Sequence, residues 1–317
     1  MGATHYSLPL PPKPNRTSIV SPKIEPQKIR AVIPVYKDWE GLKVTLDSLQ
    51  ALNPRPGAIT VANDNADNRI PEWLKTYPVE IINYNGNRGP AYARNRGSEH
   101  SNTEFDWIYF TDCGCEHVSN LITYFMNAQK SSSDSIVAIC GTVAGKGRGK
   151  INRYMTEMGI LNPPFEKDLG HQGEKIPQAI ITANALVYAP AFHQLNGFST
   201  AFGEAGGEDL DFGIRLRNLG SLLYAPRAIV YHEFDEDLQD FKNRFERYGR
   251  ANRLLEQIHK LPSLRPEPFM SVPPEFNDLA ELQIEALHSG YDEAQLANMV
   301  KFPARALKRA ALKILRV

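Results

Sequence analysis

Residues 109–117, Tyr-Phe-Thr-Asp-Cys-Gly-Cys-Glu-His, end an apolar run with side chains that can ligate a metal ion. A structural zinc site is one interpretation, but zinc sites usually separate paired cysteines by two or more residues and need a fourth ligand. A redox pair is a second, although the spacing is C-x-C rather than C-x-x-C. The third is an altered divalent-cation site that begins at Asp112.

A second cluster follows a glycine-rich stretch at 203–207, where Glu208 and Asp209 are adjacent acids. Mutual repulsion and partial burial raise the pKa of one acid in such a pair toward the range of a useful general base. A structural role is the alternative, because acids at a helix N-terminus are favoured by the helix dipole.

These clusters belong to an alternating pattern of strands and helices in the first half of the chain. The predicted strands are 29–36, 58–63, 79–84, 107–112 and 135–140, and the predicted helices are 39–52, 90–100 and 118–130. This order predicts an α/β fold with a mostly parallel sheet flanked by helices. Polar residues end three of the strands, at 35–40, 62–68 and 111–117, where ligands bind in such sheets.

The second half of the chain is less regular. Its pattern predicts a loop from 141, a strand over 178–190, helices over 208–220 and 237–260, and a loop with short helices over 261–300. The Gly- and Lys-rich stretch 141–150 lacks the spacing of a nucleoside-triphosphate-binding loop, and no G-x-G-x-x-G follows the first strand. Both absences argue against a nucleoside triphosphatase or a dinucleotide-dependent dehydrogenase.

The chain has no net charge that would attract nucleic acid or an anionic membrane, because 36 basic residues balance 36 acidic ones. No stretch reaches the roughly 20 apolar residues of a membrane span. Three cysteines without a disulfide framework suit a reducing compartment, so we expect a cytoplasmic protein.

Residues 1–28 are proline-rich and predict a disordered, mobile arm. Residues 301–317 predict a basic amphipathic helix, which can pack on the chain itself, form a homodimer or lie peripherally on a membrane.

Four pieces in a fixed order resemble glycosyltransferase family 2 of the GT-A fold. They are the V-I-P-x-Y strand end at 32–36, the N-x-G-x-x-x-A-R-N-x-G segment at 87–97, the E-D-x-D-x-x-x-R helix from 208 and the Y-G-x-x-N helix at 248–252. The resemblance covers roughly 29–260. It implies a GT-A domain over 29–260, with a nucleotide-binding half at 29–140 and an acceptor half at 141–260, and a helical extension at 261–317.

The resemblance also assigns roles to residues. It implies that the donor nucleotide sugar meets Asp64, Arg94, Asp112 and the strand-end residues Pro34, Val35 and Tyr36. At Asp64 we expect an exposed carboxylate for a base or ribose, with a solvated turn as the alternative. Near Arg94 and Asn95, in the first turns of a helix, we expect an anionic or carbonyl-bearing group, with structural capping as the alternative. Asp209 corresponds to the family's base. Glu208 is then expected to bind an acceptor or to stabilise the loop before it.

The family's Asp-x-Asp metal motif is incomplete, since Asp112-Cys113-Gly114 has only the first acid. A hard cation needs few protein ligands when phosphates and water supply the others, so a weak Mg²⁺ or Mn²⁺ site remains expected. His232 matches the position of the family's frequent metal-binding histidine. Glu116, and Cys115 for a softer ion, are further candidate ligands.

The predicted function is therefore inverting, non-processive sugar transfer, since the Q-x-x-R-W segment of processive synthases is absent. A UDP-sugar is the expected donor, and a glycan, a lipid-linked sugar or a small molecule the expected acceptor. Nucleic acid is not an expected partner. Two alternatives remain: a non-catalytic sugar-nucleotide-binding protein, because the metal motif is incomplete, and a nucleotidyltransferase of similar layout.

Overall fold

A computed structural model describes residues 7–11, 19–67, 69–99, 104–132, 135–167, 175–234 and 237–294. The chain divides into two compact units, 1–235 and 236–317. The boundary predicted at residue 260 therefore lies inside the second unit. The helix predicted over 301–317, with its membrane or dimer contact, lies outside the described residues. Within the described ranges, no helix combines the length and apolar character needed to cross a membrane.

One mixed sheet forms the centre of the first unit and confirms the α/β prediction. Its strands within the described residues are β1 (Ile29–Val35), β2 (Ala58–Asn63), β3 (Glu80–Asn83), β4 (Trp107–Thr111), β5 (Cys115–His117), β6 (Ile136–Gly145), β7 (Asn184–Tyr188) and β8 (Ser221–His232). They lie in the order β3-β2-β1-β4-β7-β6-β8-β5. Strands β1 to β4 pair in parallel, as do β6 and β8, whereas β7 and β5 are antiparallel to their neighbours.

Helices cover both faces of this sheet. They are α1 (Trp39–Gln50), α2 (Pro90–Ser98), α3 (Leu121–Lys130), α4 (Lys150–Glu157), α5 (Ala189–Gln194) and α6 (Glu208–Leu216). Side chains of α1 and α3 share one core with Trp107 and Tyr109, and those of α2, α5 and α6 share another with Ile108 and Phe110. Because successive strand residues point to opposite faces, the β4 run fills both cores, and this explains its continuous apolar sequence.

Strand β8 is one long element that is interrupted near Pro226. Its pairing with β6 jumps from Gly141–Ala225 to Thr142–Ile229, so 226–228 bulge out of the ladder. Proline cannot donate a ladder hydrogen bond and is tolerated at such a bulge. The bulge is held by Asn184, whose Nδ2 donates to the carbonyl of Ala228 at 2.8 Å. The ladder then continues to the strand end that carries His232.

The proline-rich arm differs from the predicted mobile segment wherever the structure describes it. Leu8 and Ile24 are buried. The backbone N–H of Ile24 donates to Gln129 at 2.8 Å, and that of Ile19 to the carbonyl of Leu219 at 3.0 Å. Buried apolar side chains and backbone hydrogen bonds therefore attach the described parts of the arm to the first unit.

The second unit contains α7 (Leu238–His259) and a helix that runs from 277 to 294, the last residue described. The sequence predicts only short helices in this second region. The two helices approach so closely that a Cβ on Gly249 would lie 2.1 Å from the carbonyl oxygen of Leu287. Buried Glu256 accepts a hydrogen bond from the Tyr291 hydroxyl at 2.5 Å. Glycine at the crossing and this polar pair together fix the packing of the two helices.

A buried histidine predicts how stability depends on pH. His117 Nδ1 lies 2.7 Å from the Ser48 hydroxyl and its Nε2 lies 3.1 Å from that of Thr111. Burial lowers the pKa of His117 to about 3. The unfolded chain binds a proton at this residue below about pH 6.5, whereas the folded chain does not. We therefore expect the free energy of unfolding to fall below pH 6 by about 1.4 kcal/mol per pH unit, measured by urea titration between pH 7 and pH 4.

The matched variant is His117→Gln, which removes the titrating group. Its free energy of unfolding should change less steeply between pH 6 and pH 4 than that of the unsubstituted protein. If the two proteins have the same pH dependence, His117 is not the group responsible.

Candidate active site

A buried arginine joins the two predicted acidic clusters. On α2, the Arg94 guanidinium donates from Nη2 to Asp112 at 2.7 Å and from Nη1 to Glu208 at 2.8 Å. Burial by itself lowers the pKa of Arg94, but the charges of Asp112 and Glu208 outweigh burial and the net pKa is raised. Arg94 therefore stays charged and connects the end of β4 to the start of α6.

Close packing fixes the helix that carries Arg94. A Cβ on Gly97 would lie 2.5 Å from Val32, so glycine lets α2 lie directly against β1. The Asn95 amide exchanges two hydrogen bonds with the backbone of Phe198, at 2.8 and 2.9 Å. Asn95 was expected to face a ligand with Arg94, but the structure shows it holding the loop before α6.

The two adjacent acids have different surroundings. Glu208 is 3% exposed, and its second carboxylate oxygen accepts a hydrogen bond from the N–H of Gly206 at 2.8 Å. Asp209 is only partly buried and accepts from the N–H of Leu210 at 2.8 Å. Burial, and then the charge of Glu208, raise the pKa of Asp209 to about 7, against an opposing effect of Arg94. Of this pair, Asp209 has the properties of a general base at neutral pH.

The incomplete metal motif forms a tight turn. The N–H of Cys115 donates to the carbonyl of Asp112 at 3.4 Å, and Gly114 has φ +80°. A positive φ at the third residue is typical of a type II turn and favours glycine there. The space beside Gly114 is open: a Cβ at this position would have its nearest neighbour, His232 Nε2, at 3.9 Å. The missing acid would have pointed toward this imidazole.

The orientation of His232 leaves one ring nitrogen available. Its Nδ1 lies 2.8 Å from the carbonyl oxygen of Glu233, which can only accept a hydrogen bond. Nδ1 therefore carries the proton in the neutral ring, and Nε2 presents its lone pair toward Gly114. The ring also stacks on Phe234 with centroids 5.0 Å apart. This is the tautomer and orientation that a metal-ligating histidine requires.

The other two candidate ligands are poorly suited to a metal. Cys115 is fully buried, and burial raises the pKa of its thiol to about 12, so the thiolate does not form at neutral pH. Glu116 forms an ion pair with Lys146 at 2.5 Å. No group of three or more His, Cys, Asp or Glu side chains is placed to hold a metal ion in the described part of the chain. Asp112, whose side chain is 31% exposed, and His232 are left as a two-ligand candidate.

Asp64 holds a loop together. Its side chain is 3% exposed, so the expectation of an exposed carboxylate was wrong. Its two oxygens accept backbone hydrogen bonds from Arg88 at 2.9 Å and Gly89 at 2.8 Å. Asp64 thus fixes the loop that leads into α2. Its predicted contact with the donor stays a prediction.

The end of β1 offers only one exposed side chain among the three predicted donor contacts. Val35 is fully buried, and the carbonyl of Pro34 accepts a hydrogen bond from the Cys113 thiol at 3.3 Å. Tyr36 is 46% exposed, and the Lys37 ammonium lies 5.0 Å from its ring centroid. Tyr36 is therefore the residue of this set that is free to meet a nucleoside.

A family model for glycosyl transferase family 2 matches residues 31–195, just over half of the chain. The chain belongs to glycosyltransferase family 2. The match covers β1 to α5 and thus includes Arg94, Asp112 and Asp64.

Relatives and solved structures agree with this assignment. The "Pre-mycofactocin glycosyltransferase" of Mycobacterium tuberculosis is 24% identical over 240 residues, which are 73% of this chain and 48% of the relative. The chain thus spans about half the length of the curated relatives it matches. The mannosyltransferase PcManGT from Pyrobaculum calidifontis, solved with GDP-Man and Mn²⁺, is 14% identical with a TM-score of 0.52, over 95% of this chain and 83% of that one.

Two further glycosyltransferase structures have the same fold. GalNAc-T7, solved with UDP, GalNAc and Mn²⁺, gives a TM-score of 0.52 at 14% identity, over 84% of this chain and 55% of that one. TarS 1–349 from S. aureus gives a TM-score of 0.50 at 13% identity, and the match covers 82% of this chain and 71% of that one. The GT-A prediction is confirmed. This family member therefore carries its acidic clusters on the GT-A fold.

Removing Arg94 should destabilise the fold strongly. Arg94→Met leaves Glu208 buried without its charge partner, and breaking one side of a buried ion pair costs about 3–5 kcal/mol. Urea unfolding at pH 7 measures the loss. Adding Glu208→Gln removes the unpaired charge and should recover part of it.

Arg96→Met is the matched control on the same helix. Arg96 pairs with Glu99 near the surface, where such pairs contribute about 1 kcal/mol or less. Equal losses in Arg94→Met and Arg96→Met would contradict the importance of the buried pair.

Proposed function

We propose that this protein transfers a sugar from a nucleotide-sugar donor to an acceptor hydroxyl with inversion, and that Asp209 is the general base. The observation that carries the proposal is the difference between the two adjacent acids. Glu208 forms an ion pair with Arg94 and accepts from the N–H of Gly206, whereas Asp209 accepts from the N–H of Leu210 and is only partly buried. A partly buried carboxylate with a raised pKa is suited to accept a proton at neutral pH.

In the proposed step, the acceptor hydroxyl gives its proton to Asp209 as its oxygen forms a bond to the anomeric carbon. The bond from that carbon to the diphosphate oxygen breaks, and the electron pair leaves with the nucleoside diphosphate. Attack opposite the leaving group inverts the configuration. Glu208 positions the loop before α6 through Gly206, and Arg94 holds Glu208 and Asp112 in a fixed relation.

The donor is proposed to lie along the carboxyl ends of β1 and β4. Tyr36 is exposed at the end of β1 and Asp112 is partly exposed after β4. Ligands of α/β sheets bind at such strand ends. GDP-Man and UDP in the neighbouring structures support a nucleoside diphosphate sugar, and we propose a UDP-sugar. The acceptor is proposed to be a glycan, a lipid-linked sugar or a small molecule.

A divalent cation is proposed to bind together with the donor. Three carboxylates, Asp112, Glu208 and Asp209, surround the single charge of Arg94, so the site does not attract a diphosphate by itself. Asp112 and His232 would hold the cation, with donor phosphates supplying further oxygen ligands. Such a cation neutralises the charge that develops on the leaving diphosphate. Mn²⁺ in two neighbouring structures supports this proposal.

Asp209→Asn should abolish transfer while leaving donor binding intact, because asparagine keeps the size of the side chain but cannot accept the proton. We expect a loss of at least about 100-fold in the rate of donor turnover. In the unsubstituted protein the rate should rise with pH and level off above about pH 7, since Asp209 must lose its proton to act. Release of nucleoside diphosphate from UDP-sugars, with and without acceptor mixtures, measures both effects.

Asp47→Asn is the control, because Asp47 is an acid on α1 that accepts a hydrogen bond from Tyr77 at 2.6 Å and lies outside this cluster. Its turnover should match that of the unsubstituted protein. Turnover that survives in Asp209→Asn would assign the base elsewhere. Donor binding without any turnover in the unsubstituted protein would support the non-catalytic alternative.

Cation binding should depend on the donor. Since Asp112 and His232 are only two ligands, we expect Mn²⁺ alone to bind weakly and Mn²⁺ with UDP to bind at least about tenfold more tightly. Calorimetric titrations with and without UDP measure this difference. His232→Ala should remove the difference in Mn²⁺ affinity between the two titrations, and UDP without Mn²⁺ should still bind weakly. Tight Mn²⁺ binding without UDP would contradict the two-ligand site.

A further inference from the structure

The arm segment 7–11 makes its principal polar contact with a single glutamine. The backbone N–H of Leu8 donates to Gln178 Oε1 at 2.5 Å, and Gln178 Nε2 donates to the carbonyl of Leu8 at 2.8 Å. Both residues are buried, with Leu8 at 2% and Gln178 at 6% exposure. Pro9 and Pro11, which follow Leu8, have no N–H groups. The Gln178 amide thus provides the pairing that a neighbouring strand would otherwise give.

The segment that follows Gln178 reaches the proposed base. The backbone of Thr182 lies close enough to Asp209 to lower the pKa of that residue. Between these residues, the backbone of Ala179 and Ile180 lies against α6. A Cβ on Gly213 would come within 2.4 Å of the Ile180 nitrogen. Since neither backbone can move independently, displacement of 178–182 would displace α6 as well.

A second contact of the arm lies at the other end of α6. Arg217, which follows that helix and is 8% exposed, donates to the carbonyl of Pro11 at 3.5 Å and to Glu166 at 3.1 Å. The segment 7–11 therefore contacts both the irregular segment before β7 and the end of the helix that begins with Glu208 and Asp209.

We propose that Gln178 is a positioning residue for sugar transfer: by binding the arm segment 7–11 it fixes residues 178–182 and α6, and thereby the placement of Asp209. This inference rests on the proposed function of Asp209. A shift of about 1 Å in a catalytic group can cost up to about 100-fold in rate, so a distant anchor can affect turnover without contacting substrate.

The chain offers a matched control for this contact. Gln129 on α3 binds the next part of the arm in the same manner, since its Oε1 accepts from the N–H of Ile24 and its Nε2 donates to the carbonyl of Pro22, both at 2.8 Å. However, α3 packs on the face of the sheet opposite α6. Gln178→Leu and Gln129→Leu therefore remove equivalent arm contacts on opposite faces.

The experiment compares the two variants in the full chain by steady-state turnover of a UDP-sugar and by UDP binding. In Gln178→Leu we expect kcat to fall about tenfold, with UDP affinity changed less than about twofold. The acid limb of its pH profile should also shift, because the surroundings of Asp209 change. Gln129→Leu should keep both parameters within about twofold. Unchanged kcat in Gln178→Leu, or an equal loss in Gln129→Leu, would overturn the proposal.

Hydrogen exchange gives a readout that does not require activity. Amides of 178–182 and 209–217 should exchange faster in Gln178→Leu than in the unsubstituted protein, and at an unchanged rate in Gln129→Leu. Leu8→Ala keeps Gln178 but truncates the buried arm residue that it binds. In this variant, exchange of the same amides should increase to a smaller degree. Equal exchange in all proteins would refute the positioning role. If the unsubstituted protein turns over no sugar nucleotide, the proposed function fails while the exchange result still decides whether Gln178 fixes α6.

Discussion

The buried charge of Arg94 is the constraint on which the site depends. A guanidinium removed from water must be surrounded by acceptors, and a planar fork can satisfy two carboxylates at once. Arg94 does this with Asp112 and Glu208, which come from opposite halves of the first unit. The arginine thereby sets the relation between the end of β4, where we propose that the diphosphate lies, and the start of α6, which carries the proposed base.

The same constraint separates the roles of the two adjacent acids. Glu208 is held by Arg94, and after burial its charge is the next largest contribution to the raised pKa of Asp209. One carboxylate serves as a fixed partner and the other is left to exchange a proton. This division follows from the hydrogen-bond partners of each side chain, since both residues have the same chemistry in the unfolded chain.

Patterns that depend on neighbours in the chain were predictable from the sequence. The apolar run of β4, the helix predicted over 39–52 and found over 39–50, and the alternation of strands and helices in the first half of the chain could be predicted because burial and periodicity are local signals. The double pairing of Arg94, the burial of Asp64 and the docking of Leu8 on Gln178 could not, since they depend on tertiary contacts over 18 to 170 positions. Position 114 could be predicted only in part. The sequence shows that glycine stands where the metal motif has its second acid, but only the turn geometry shows that this position faces His232.

We propose that the donor diphosphate lies between Asp112 and His232 and that Arg94 acts inside the protein, as the partner of Asp112 and Glu208. A crystal structure of the complex with UDP and Mn²⁺ tests this placement most directly. We predict a cation bound by Asp112, His232 and both phosphates, the uridine toward Tyr36, and Arg94 still paired with Asp112 and Glu208. A diphosphate bound directly to Arg94, with its carboxylate pairs broken, would contradict the account.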